Sequence, residues 1–305
     1  MTALVLAAFM AAEKSSIPLT TNEYFNAQCH LEAAGFSVNC VDGVWGLKSR
    51  HAKELYEKSG HTLPKTRFPL KYETVTQADI NELVEIPEDP EEKADLEYFG
   101  YESIKEMFAE RGHVSRKCLE KLNPDIKDWG RLKAGDKICI PAFTPMYEES
   151  SPTGKAAIVK ISLSRCEVIC LDKNGKPLAF FPCSIAASKS KLPPHGEVKI
   201  VAHIENPNYT YTPDPPDPSI ITLESEPQDA KSGSHIKRHI FEPGPNNPVG
   251  LAWIGLDLPG YGIHGTPYPE RVGNAESHGC FRLANWNALR LYRLTDFNTK
   301  VLIVP

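Results

Sequence analysis

The chain falls into two textures of apolar and polar alternation. In its first half apolar residues recur at helical spacing. The stretch "NEYFNAQCHLEAAGF" from Asn22 sets Tyr24, Phe25, Cys29, Leu31 and Ala34 on one repeating face. It stops at Gly35, a residue suited to a helix C-terminus. The turn "VDGVWG" follows, its glycines at 43 and 46 matching a need for positive φ, and a second helical run covers residues 48–56. Residues 64–95 are irregular, with Pro87, Pro90 and the acidic run "EDPEEKADLE", and read as a linker with helical patches. After it, "YESIKEMFAERGHVSRKCLEKLNPDIKDWGRLKAGDKICIPAF" predicts two helices and a short closing strand; the strand that would open such a unit is weak.

From about residue 155 the period shortens to two. The run "AAIVKISLSRCEVICL", the turn "DKNGKP" and "LAFFPCSIA" predict an alternating hairpin with Asn174-Gly175 as its turn signal. "GEVKIVAHI", "GLAWIGLDL" and "TKVLIVP" add strands, and "NWNALRLYRL" is the clear helix of this half. The expected fold is a multidomain α+β protein with small helical N-terminal modules followed by a mainly β, sandwich-like or barrel-like domain.

Composition narrows the partners. With 41% hydrophobic residues over 305 positions the chain can bury more than one core, and a net charge of -5 gives no reason to expect nucleic acid or an anionic membrane as a partner. The prolines cluster at 213–218 and 243–248, which predicts long ordered loops. The opening "MTALVLAAFMAAEKSS" has a short apolar run ending in small residues, like the apolar core and cleavage site of a secretory signal without its basic start. It is shorter than the about 20 apolar residues needed to span a bilayer. Export to a periplasmic or wall-associated location is expected, with no integral membrane span. Eight cysteines fit an oxidising compartment and equally fit buried free thiols. Local pairing of Cys29 with Cys40, Cys118 with Cys139 and Cys170 with Cys183 would leave Cys166 and Cys280; distant pairings stay open.

The chemistry gathers at "SHGCFRL", residues 277–283. A thiol near its usual pKa of about 8.5 is a weak nucleophile at neutral pH and needs a base or a positive field beside it. His264, in "YGIHGTPY", is sixteen positions upstream at the end of a strand-like run, where its ring can be presented to Cys280. Gly279 lets the backbone turn sharply, so that amides near Cys280 can face a developing oxyanion. Two other readings of Cys280 are a disulfide partner and a zinc ligand. His264, His278 and Cys280 are all ligand types, and His235 with His239 has the i,i+4 spacing that chelates zinc on a helix. The flanking glycines and β-branched residues argue against that helix, and neither a metal nor a cofactor is called for.

With these residues in view, the segment from about 156 to 305 resembles the L,D-transpeptidase catalytic domain of YkuD type. The resemblance rests on His264-Gly265-Thr266, a spacer, then Ser277-His278-Gly279-Cys280, Phe281 and Arg282. Supporting stretches are "LPPHGEVKI" at 192–200, "NPNYTYTP" at 206–213, "PGPNNPVG" at 243–250 and the tail from residue 285, with Asn298 where glycine is common. The resemblance implies acyl transfer through a Cys280 thioester. A peptidoglycan stem tetrapeptide would lose its terminal D-Ala and an amine acceptor would then complete a cross-link, with His264 as general base and then acid. Ser277, His278, Gly265 and Arg282 would support the nucleophile loop or meet a substrate carboxylate. Tyr261 and Asn247 would line the cleft, with Tyr209 and Tyr211 as a wall or packed in the core. Carbapenems acylate this family.

The first half resembles two wall-binding families. "AGF" at 34–36 with "VDGVWG" at 41–46 resembles the peptidoglycan-binding-like domain, and "LNP" with "LKAGDKICIP" resembles the second half of a LysM module. The implied division is a signal-like segment at 1–16, a peptidoglycan-binding-like module at 17–63, a linker at 64–95, a LysM-like module at 96–143 and the catalytic domain at 152–305. Stem peptides and glycan strands are the implied partners. The rival functions are hydrolysis of the same bond and a non-catalytic wall-binding protein.

Overall fold

The computed structural model describes residues 19–144, 155–212, 238–273, 275–277 and 279–305. The signal-like segment, the 213–218 proline run, His235 and His278 lie outside them. In the N-terminal half, α1 (Glu23–Ala33) is capped by Asn22, whose side chain accepts from the Tyr24 and Phe25 amides. The turn to α2 (Leu47–Lys58) has Gly43 at φ +76, while Gly46 caps α2 with a negative φ, so one of the two predicted glycines is conformationally required.

The segment expected as a linker with helical patches also contains a strand. It holds β1 (Leu70–Thr74) and the short helices α3 (Gln77–Asn81) and α4 (Pro90–Ala94). Helices α5 (Ile104–Arg111) and α6 (Arg116–Leu122) follow, capped by Ser103 and Ser115, and the unit closes with β2 (Lys137–Pro141). Strand β1 pairs antiparallel with β2, Tyr72 opposite Cys139. "LKYET" shows too little apolar alternation to announce a strand, because one side of it stays half exposed.

The C-terminal half is mainly β, built on one curled sheet. Its strands are β3 (Ile158–Ser162), β4 (Glu167–Leu171), β5 (Pro177–Pro182), β6 (Ile185–Ala186), β7 (Gly196–Glu205), β8 (Tyr209–Tyr211), β9 (His239–Phe241), β10 (Ala252–Leu256), β11 (Gly262–His264), β12 (Ala275–Ser277) and β13 (Phe281–Arg282). Helix α7 (Asn285–Leu294) and β14 (Lys300–Val304) complete it. Eight strands run in the order β13-β11-β10-β7-β14-β3-β4-β5. A bridge between Ser184 and Arg282, with backbone hydrogen bonds of 2.8 and 3.0 Å, brings the chain beyond β5 back to β13 and curls the sheet on itself. The first predicted run divides into β3 and β4 around Cys166, which takes φ +51. In the β4–β5 turn Gly175 alone has positive φ, and the Asp172 carboxylate accepts from the Asn174 and Lys176 amides at 2.8 Å. Asn298 sits at φ +65, which accounts for glycine being common there.

The halves are fused rather than tethered. One core joins Phe25, Leu31, Met107 and Phe108 to Phe180 and Ile169 of the catalytic sheet, and Phe36 bridges to Phe180. All eight cysteines are free thiols. The locally expected pairs are not made: Cys29 has Cys118 as its electrostatic neighbour, and Cys183 has Cys166.

Candidate active site

Strands β11 and β13 run parallel, with Ile263 opposite Phe281 and His264 opposite Arg282. Ile263 and Phe281 are fully buried in the core. Successive side chains of a strand alternate between its faces, so Gly262, His264, Cys280 and Arg282 all belong to the opposite face. The register places Cys280 beside Gly262. Sulfur and imidazole therefore share a face, one strand and two residues apart, with Cα atoms roughly 8 Å from each other by strand spacing and rise. The sulfur itself turns toward the Gly260 carbonyl, at 3.5 Å.

The ring is held from two sides. Trp253, its register partner on β10, stacks on it with centroids 5.6 Å apart and planes at 24°. A Cβ on Gly262 would stand 2.6 Å from the Trp253 ring, so glycine is what lets the indole lie there. His264 Nδ1 is 2.6 Å from the Gly265 carbonyl. A carbonyl only accepts, so the proton is on Nδ1 and Nε2 carries the free lone pair. Burial lowers the imidazole to a pKa of about 4, the Gly265 carbonyl opposing and the Arg282 charge adding to the shift.

Burial also pushes the Cys280 thiol up, while the Gly262 backbone N–H on the sulfur and the Arg282 charge pull it down. Cys280 Sγ donates to the Gly260 carbonyl at 3.5 Å. At neutral pH both partners are uncharged. Such a pair must move its proton during attack. Arg282 reaches into the wall of a cavity of about 400 Å³ shared with Phe99, Glu102, Arg116 and Thr266, and its Nε is buried with no hydrogen-bond partner among the described residues. A larger cavity of about 670 Å³, lined by Cys40, Lys48, Cys118 and Glu270, lies away from the dyad.

The remaining expected residues divide. Tyr261 donates its hydroxyl to the Lys191 carbonyl at 3.1 Å, next to Gly279. Gly279 is not in the left-handed region, and a Cβ there would make ordinary contacts at 3.8 Å, so a sharp turn does not demand glycine. Asn247 does not line the cleft. It is fully buried, its amide donating to the Phe241 and Glu242 carbonyls and accepting from the Val249 N–H. Ser277 ends β12, which pairs with β6. His239 lies in a strand, so its end of the i,i+4 zinc spacing is not helical. Burial raises the Tyr209 hydroxyl, with the Cys280 charge adding to the shift; Tyr211 stacks on Phe241 with centroids 5.6 Å apart. The sequence gives no sign of the roles of Trp253 and Gly262: nothing in "GLAWIGL" separates an indole stacked on His264 from one in a core.

Residues 156–303 match the family model of the L,D-transpeptidase catalytic domain. Over 170 residues the chain is 32% identical to YqjB of Bacillus subtilis (strain 168), named as an L,D-transpeptidase, covering 54% of this chain and 79% of that protein. It is 29% identical over 151 residues to a protein of Fuscovulum blasticum from the ATP synthase subunits region, also so named, covering 50% and 70%. Among solved structures it is similar to an L,D-transpeptidase from Mycobacterium smegmatis at 15% identity and a TM-score of 0.33, spanning 48% of this chain and 58% of that one.

Proposed function

The chain belongs to the L,D-transpeptidase family, and on that premise we propose that it cross-links peptidoglycan through a Cys280 thioester. The observation that carries this reading is the shared face of His264 and Cys280, with the Nδ1 proton committed to Gly265 and Nε2 left as acceptor. In the first half-reaction the Cys280 S–H proton passes to His264 Nε2 as sulfur attacks the carbonyl carbon between the third stem residue and D-Ala. The C–N bond breaks, the imidazolium returns its proton to the departing D-Ala amine, and the thioester remains. An acceptor amine on a second stem then attacks the thioester, loses a proton to His264, and sulfur leaves as the reprotonated thiol. The dry, low-dielectric setting of the ring favours a proton transfer coupled to attack over a standing ion pair. Backbone amides around Gly279 are assigned to the oxyanion, and Arg282 to a substrate carboxylate.

Acting outside the cytoplasm, the protein would use its N-terminal half to hold glycan strands. The α5–α6 pair followed by β2 supports the LysM-like reading of residues 96–143, and the α1–α2 hairpin supports the peptidoglycan-binding-like one. The test is intact-mass analysis with a carbapenem, alongside D-Ala release from tetrapeptides. Wild type should gain one covalent adduct on the peptide holding Cys280, and Cys280→Ala should gain none and release no D-Ala. Equal release by both proteins removes the nucleophile assignment. Product carrying water in place of a second stem would make the enzyme a carboxypeptidase.

A further inference from the structure

Asn285, the first residue of α7, is fully buried behind the catalytic histidine. Its Oδ1 accepts from the Leu251 N–H at 3.2 Å. The same oxygen lies so close to Gly250 and Gly265 that a Cβ on them would stand 2.0 and 2.2 Å from it. Gly265 is the residue whose carbonyl holds His264 Nδ1–H. The other end of this carboxamide faces the N-terminal half. Nδ2 donates to the Pro245 carbonyl at 3.0 Å and to the Glu110 carboxyl, with Oε1 at 3.1 Å and Oε2 at 3.3 Å. Glu110 belongs to α5, is itself buried, and also accepts from the Tyr101 hydroxyl at 3.0 Å.

We propose that Glu110 is a positioning residue for His264, acting through Asn285, so that a helix of the N-terminal half forms part of the catalytic apparatus. The reasoning is directional. A carboxamide has one donating and one accepting end. The Pro245 carbonyl can only accept and the Leu251 N–H can only donate, so they fix the NH2 end toward Pro245 and Glu110 and the oxygen toward Leu251 and Gly265. That oxygen anchors the ends of β10 and β11, where the Gly265 peptide presents its carbonyl to the ring. Glu110 thus stands three contacts from Nδ1, and without it the carboxamide loses a buried partner at the point where it aligns the base. The charged and titratable groups facing Glu110 are Glu106 on its own helix, Arg116 of α6, and Tyr98 and Tyr101 of the preceding loop. Asn285 supplies the path from Glu110 to the His264 loop.

This inference rests on His264 being the base, and its test uses the full chain. Glu110→Met keeps length and helix propensity but offers no oxygen. Its kcat for tetrapeptide donor and amine acceptor should fall about tenfold to a hundredfold, the scale of a small misplacement of a catalytic group, with KM within about twofold. Glu110→Gln should recover most of that loss, because its amide oxygen still accepts from Asn285. The double variant Glu110→Met with Asn285→Ala should be no slower than Asn285→Ala alone, as expected of residues on one route. A readout independent of turnover is the nitrogen NMR spectrum of His264: a single Nδ1-protonated tautomer in wild type, a mixture in Glu110→Met. Where Glu110→Met does not fold, Asn285→Asp opposes a second carboxyl to Glu110 and should lose kcat in the same way. Wild-type kcat together with an unchanged tautomer in these variants, or a double variant that adds the two losses, overturns the proposal. If wild type releases no D-Ala while the tautomer still responds to Glu110, the transpeptidase reading fails and the positioning stands.

Discussion

His113 of the N-terminal half lies flat on Trp286 of α7, the ring centroids 4.8 Å apart and the planes at 11°. The other face of the same imidazole stacks on Phe143 at 4.9 Å. Around this stack, Arg290 donates to the Glu32 carbonyl at 2.8 Å and Asn287 to Ser37 Oγ at 2.9 Å. These buried contacts cross from the first half of the chain to the last helix.

A fragment starting at residue 155 is therefore expected not to form a stable domain. It would expose Phe180 and Ile169, at about 1.5–3 kcal/mol for each side chain returned to water. It would also lose the Glu110 and Ser37 partners of the Asn285 and Asn287 amides, at about 0.5–1.5 kcal/mol net for each hydrogen bond. Such losses rival the about 5–15 kcal/mol stability of a typical domain. Cooperative thermal unfolding of the isolated fragment near the full-length melting temperature would disprove this.

The neutral dyad sets the pH response. With His264 at about 4, kcat/KM should rise with pH through about 4 and stay level across neutrality, since protonated imidazole cannot accept the thiol proton. The raised thiol should make Cys280 slow to alkylate with iodoacetamide at pH 7, the rate growing above the usual thiol range. An acid limb centred near the ordinary histidine value of about 6.5 would show that the ring is solvated in the free enzyme.

Gly262→Ala should damage catalysis through Trp253. Its new Cβ would meet the indole at 2.6 Å and move the ring that stacks on His264. The expected cost is about 1–3 kcal/mol of stability, as for overpacking, with kcat down about tenfold or more. In Gly279→Ala the Cβ makes ordinary contacts, and stability should change by less than about 0.5 kcal/mol. Equal melting temperatures for the two variants would contradict the packing argument.

Glu110 gives the fold a pH signature. Burial raises its carboxyl to about 7, so between about 4.5 and 7 the unfolded chain sheds a proton that the native protein keeps. Native stability falls across that window, by about 3 kcal/mol in total. His264 acts oppositely between about 4 and 6.5, where the unfolded chain holds the extra proton, so the two slopes offset each other in wild type. Glu110→Gln removes only the first, and its stability relative to wild type should climb from pH 4.5 to 7. A difference that stays constant with pH would show that the carboxyl is not perturbed.

The sequence by itself determined the elements whose order is local, and it singled out the candidate pair. Periodicity of 3.6 marked α1 and α7, alternation marked β7 and β14, and "IHG" with "SHGC" singled out His264 and Cys280, because a repeating pattern or a reactive motif is written in neighbouring residues. Only the tertiary structure decided that "LKYET" is a strand, since its partner is residues 137–141 and its own alternation is faint. Only the fold brought Glu110 within 3.1 Å of Asn285, 175 positions away, and buried the imidazole deeply enough to lower its proton affinity. Proton affinity and buried hydrogen bonds follow from desolvation and long-range contact, which depend on the packing of the whole chain and not on any one stretch of it.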